Sequence, residues 1–176
     1  MRLVLVLGLA LAFTARAQET ADPRPGEAAA SSARPLLQLF AASPADQFKE
    51  AIRGFAQPAV YERLPAGSEA TVPSFPLTGY LFRSAPAALA PDAAAALQKM
   101  FQEGAVFSPG GDVGCAKFAP QFVLIWKSDQ TDWYALVGLD CQEIRVVGPG
   151  GVVFQSYIPP QAYGPLDRLL RTPARN

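Results

Sequence analysis

The side chains of this 176-residue chain that could do chemistry are few: two cysteines, Cys115 and Cys141, with three acids around them, Asp112, Asp140 and Glu143. Histidine is absent. Its absence removes Ser-His-Asp and Cys-His nucleophile systems, imidazole general bases and every His-containing zinc site, and two cysteines cannot build an all-thiolate zinc site. A disulfide or dithiol, a carboxylate pair and recognition by apolar surface are what remain. No metal and no cofactor is expected.

Cys115 and Cys141 lie 26 positions apart, and an even pair in an exported chain is read as a disulfide. A thioredoxin-like dithiol would need Cys-x-x-Cys near a helix start, and that spacing is missing. Asp112, Asp140 and Glu143 are the candidates for a general acid and base. Asp140 and Glu143 are three apart, so a regular strand sends them to opposite faces, and a turn over 140–143 leaves both in solvent. Asp129 and Asp132 read as turn residues. The glycine-rich stretch 109–114 could offer backbone N–H groups to an anion, but it lacks the Gly-Lys-Ser/Thr ending of a phosphate loop and reads as a loop before a strand.

Recognition rests on aromatic residues. The runs FVLIW (122–126) and WYALVGL (133–139) are apolar on both faces, whereas a strand buried on one face alternates. Something must cover each side. Either three helices do so within one domain, or one face keeps an apolar groove, lined by Trp126, Trp133 or Tyr134, for a protein partner or an apolar ligand.

The elements that must position these residues follow a short leader. Arg2, an eleven-residue apolar run over 3–13 and Ala15-Arg16-Ala17 form the three parts of a cleaved secretory signal over 1–17. As a helix that run rises about 16 Å, against roughly 30 Å of bilayer hydrocarbon, so no membrane span is expected after cleavage. Export to the periplasm or beyond, from a bacterial cell, is the expected localisation. Residues 18–34 lack aromatic residues and period and read as a disordered tether; a single domain spans 35–172, and 173–176 form a tail. Basic and acidic side chains number 15 each. Losing Arg2 and Arg16 leaves 13 basic against 15 acidic, a net −2, which offers no footprint for nucleic acid.

Within the domain, Ser43-Pro44-Ala45-Asp46 supplies a helix N-cap, a proline at N1 and an acid at N3, followed by Phe48, Ala51, Ile52 and Phe55 on one face. Stretches 59–64 and 75–83 read as short strands, with Pro76 at a strand start or an edge. A helix over 91–102 sets Leu89, Ala93, Ala96, Leu97, Met100 and Phe101 on one face, with Gly104 to end it. Stretches 122–126 and 133–139 form a hairpin, and 144–147 and 152–157 are two further strands across a Gly-Pro-Gly-Gly turn. With Trp126 facing Trp133, the cysteines fall three positions out of register, an offset that a bulge at Pro120 could absorb. Leu166, Leu169 and Leu170 close the chain as a last helix with Pro165 near its N1 position. The expected fold is α+β: a mainly antiparallel sheet of five or six strands, about three packed helices and one disulfide.

The order Cys115-x-x-Phe118-x-Pro120-x-Phe122, apolar hairpin, Leu139-Asp140-Cys141-x-Glu143 resembles a loosely defined group of short, uncharacterised bacterial exported proteins. Members often carry a further cysteine before the position of Cys141, where this chain has apolar and acidic residues. The resemblance implies an architecture and no activity. The function expected is a non-catalytic exported binding or interaction module, an inhibitor or envelope accessory protein; the alternatives are a His-free hydrolase using a carboxylate pair and a purely structural envelope protein.

Overall fold

The computed structural model describes residues 42–68, 71–108, 115–129 and 131–171. The leader, the tether, the 109–114 loop with Asp112, and the tail lie outside them. Along the chain run α1 (Pro44–Arg53), β1 (Ala59–Glu62), β2 (Ser74–Leu77), β3 (Tyr80–Arg83), α2 (Pro91–Gln102), β4 (Phe122–Trp126), β5 (Trp133–Gly138), β6 (Glu143–Gly148), β7 (Gly151–Tyr157) and α3 (Pro160–Arg171). The fold is α+β. A five-stranded antiparallel sheet has the order β1-β4-β5-β6-β7, and β2 and β3 form a separate hairpin.

Both faces of the central strands are covered, by different material. On one face α1, α2 and α3 bury Phe48, Ile52, Leu97, Phe101, Leu166 and Leu170 against the strand residues Leu124, Trp126, Val137 and Val146. On the other, Phe82 of β3 and Phe118 of the loop before β4 pack on Val123, Ile125, Leu136 and Val147. The expectation that helices cover both sides is therefore corrected: a β-hairpin covers the second. All five residues of β4 are buried as a result, which explains an apolar run with no alternation.

Local chemistry explains most boundaries. Ser43 caps α1, its Oγ accepting the Asp46 N–H at 3.1 Å while its O–H donates to the Asp46 carboxylate at 2.7 Å. Helix α2 ends at Gly104 (φ 74°), where the Ala105 N–H reaches the Met100 carbonyl and the Gly104 N–H that of Phe101, the paired bonds of a Schellman ending.

Three expectations shift. The stretch 75–83 is two strands, because Thr78 (φ 48°) and Gly79 (φ 83°) turn the chain between Leu77 and Tyr80. Helix α2 buries Ala94, Leu97, Gln98 and Phe101, a face rotated to include a polar residue. Helix α3 starts at Pro160, so Pro165 lies inside it and removes one backbone hydrogen bond there.

Candidate functional site

The hairpin register is the one the tryptophans imply: Trp126 pairs with Trp133 and Phe122 with Val137. The chain leaves the ladder at Gln121, whose N–H still reaches the Val137 carbonyl at 2.9 Å. Cys115 then meets Cys141 in a disulfide with Cα atoms 5.7 Å apart, joining the loop before β4 to the β5–β6 turn. Both thiols are thus consumed in a covalent staple beside the second sheet face.

Asp140 and Glu143 take separate partners. Asp140 is exposed and accepts from the Gln121 amide at 2.7 Å, while Gln121 Oε1 takes the Leu139 N–H at 2.6 Å. Glu143, expected in solvent, opens β6 with 0% exposure, and its Oε1 accepts from Arg145 Nε at 2.6 Å. The correction has a physical cause. Glu143 and Arg145 point to the same sheet face, Phe118 closes over them with the Arg145 guanidinium 4.0 Å from its ring centre, and Gly138 opposite leaves the space that Phe118 fills. Asp112, the third acid, lies outside the described residues. Among the described residues no three of His, Cys, Asp or Glu gather into a set that could hold a metal ion.

The aromatic candidates separate as well. Trp126 is 0% exposed in the helix-side core, so it lines no surface. Its indole N–H donates to Gln98 Oε1 at 2.5 Å, and the Gln98 amide donates to the Ile52 carbonyl at 3.0 Å, tying β4, α2 and the end of α1 through one buried residue. Tyr134 points to the opposite face, where its O–H donates to Asp132 at 3.2 Å. Burial first, and the Asp132 charge second, push that phenol above its ordinary pKa.

Of the three candidates, only Trp133 is half-buried on the helix side. Its six-membered ring lies where a Cβ on Gly148 would sit, at 2.8 Å, and its centre is 5.6 Å from that of Phe48. The remaining side of Trp133 opens into a recess of about 590 Å³ shared with Ala51 and Phe55 of the α1 end and with Ser128, Asp129 and Thr131 of the β4–β5 loop. Phe55 was legible only as part of an apolar helix face. Its partnership with Ser128, 73 positions on (128 − 55), and with Thr131 is a tertiary contact that no local pattern signals.

No helix of the described residues is long and apolar enough to cross a membrane. Comparison of the chain with protein-family models, with curated proteins and with solved structures finds no match.

Proposed function

We propose that the protein is a non-catalytic exported interaction module that receives its partner at the Trp133 recess. The observation carrying this reading is the recess itself: an aromatic floor of Trp133 and Phe55, an aliphatic wall at Ala51 and a polar rim at Asp129 and Thr131. Apolar anchoring with a polar rim is the composition of small binding sites and of the centres of protein interfaces. The separate settings of Asp140 and Glu143 add support. Asp140 is exposed and bonded to Gln121, whereas Glu143 is 0% exposed with Oε1 on Arg145, so a substrate in solvent meets only one acid of that pair.

Export belongs to the same proposal, supported by the three-part leader and by the disulfide, a bond that persists in oxidising compartments. So does grouping with short exported bacterial proteins, which rests on the cysteine and proline pattern alone. The test is affinity capture from a bacterial envelope extract with two baits, the mature chain and its Ala51→Arg variant. Arginine suits a helix surface and fills the recess from its wall without touching the buried core. A protein or apolar ligand retained by the first bait and lost by the second is the expected result. Equal retention by both would place the binding surface elsewhere, and no retention above a blank resin would defeat the reading.

A further inference from the structure

The Trp133 recess carries an electrostatic sign. Asp129 stands on its rim, exposed, and among the described residues it holds neither an ion pair nor a hydrogen bond. Ser128, Asp129 and Thr131 also line a second recess of about 460 Å³, which takes in Asp132 and Tyr134. Asp132 accepts a bond from the Tyr134 hydroxyl, a neutral donor, so its charge is not cancelled there. Lys127 and Arg53, the basic residues nearest along the chain, line neither recess, and Arg53 is paired with Glu50 at 2.9 Å.

The backbone adds to the same sign. Helix α1 ends at Arg53, so Ala51 in its last turn and Phe55 just beyond set the recess at the negative pole of the helix dipole.

We propose that the partner enters this recess through an arginine or lysine side chain on a basic segment of a second protein. The aliphatic stem lies along Phe55 and Ala51, and the cationic head lies between the Trp133 indole and the Asp129 carboxylate. The inference rests on the recess being the binding site and adds the chemistry of its occupant. Tryptophan is the aromatic side chain that attracts a cation best, and Asp129 supplies the matching charge in the same space. A long basic side chain suits a mixed lining, because its stem covers apolar surface while its head keeps polar contacts. An acidic or phosphate-bearing group would instead meet Asp129, Asp132 and the negative helix end. A purely apolar side chain would draw water off Asp129 with no bond in return.

The experiment is a heteronuclear NMR titration of the mature, disulfide-bonded chain with three acetylated, amidated tripeptides: Gly-Arg-Gly and its citrulline and leucine counterparts. Citrulline keeps the shape of arginine without its charge, and leucine keeps only an apolar stem. The expected result is saturable shifts of the Trp133 indole N–H and of the Ala51 and Thr131 amides with the arginine peptide, at least about fivefold tighter than with either counterpart. Asp129→Asn, at an exposed loop residue, should weaken the arginine peptide about three- to fivefold. Ala51→Arg, which fills the recess with its own guanidinium, should abolish the shifts. Arginine and leucine peptides bound equally at these positions, or an unchanged affinity in Asp129→Asn, would overturn the cationic occupant while leaving the recess as the binding site. Arginine-peptide shifts only elsewhere on the molecule, or none, would overturn the inference as well, and capture with the Ala51→Arg bait then decides the recess reading by itself.

Discussion

Gln98 is the residue on which most of the buried polar bonding of the helix side converges. It sits between a tryptophan N–H and a helix-terminal carbonyl, both out of reach of water. Replacing it with Leu keeps the volume roughly constant but strands the Trp126 indole N–H, which costs about 1 to 3 kcal/mol, while the Ile52 carbonyl keeps the Phe55 N–H at 3.2 Å. Urea denaturation of Gln98→Leu should show a loss of that size; an unchanged midpoint would mean that the indole finds another partner. Sequence periodicity missed Gln98, because a glutamine among alanines on a helix reads as surface and only the position of Trp126 beneath it reverses that.

Asp46 gives a prediction with a sign. The Lys49 ammonium first, and the Ser43 hydroxyl next, hold its carboxyl below the usual carboxylate range. A depressed folded-state pKa means that its contribution is present above that range and is lost as pH falls through it. Asp46→Asn should therefore lower the melting temperature at pH 7, and the difference from wild type should close as both are titrated to pH 2. A gap that persists at pH 2 would assign the loss to helix geometry and not to charge.

Among the elements, the β2–β3 hairpin is the one the sequence hid. Its turn places Thr78 at φ 48°, a conformation that β-branched residues resist, and Thr-Gly lacks the Asn or Asp that usually marks such a turn. Thr78→Asn should stabilise the protein by about 0.5 to 1 kcal/mol in the same denaturation assay; destabilisation would show that the threonine side chain makes a contact worth more than its backbone strain.

The four strands from β4 to β7 and helix α2 were legible because long apolar runs, a Gly-Pro-Gly-Gly turn and a Schellman glycine are local signals. The side chosen by Glu143 was not. Its burial depends on Gly138 being opposite and on Phe118 arriving from a loop, and both follow from register and tertiary closure. The staple between Cys115 and Cys141 was legible from count and spacing, and its removal tests its structural role. Replacing both cysteines with Ser should cost about 3 kcal/mol in the chain-entropy model, and less to the extent that the β4–β5 hairpin already holds its ends together when unfolded.

At the scale of the molecule, the two-sided coverage of the sheet decides which surfaces are left to work with. Helices seal one face and a hairpin seals the other, so Trp126, Trp133 and Tyr134 do not share one continuous groove, the alternative to full coverage. Trp126 is sealed in, Tyr134 is turned away, and the proposed recognition is confined to the margin where α1 and the β4–β5 loop leave Trp133 half-covered. Under the proposed reading Trp133 has two roles. Trp133→Ala should cost roughly 2 to 3 kcal/mol through lost packing on Phe48 and Gly148, so its binding effect cannot be separated from its stability effect. Variants on the wall and rim avoid that coupling.

The most direct measurement is photo-crosslinking in exporting cells, with a photoreactive amino acid placed at Thr131 on the recess rim and, as a control, at Arg83 on the far hairpin. A partner bound at the recess gives a discrete adduct from position 131 that Ala51→Arg abolishes, and no such adduct from position 83. The same adduct from both positions, or its persistence when Ala51→Arg fills the recess, would contradict the assignment of the Trp133 recess as the binding site.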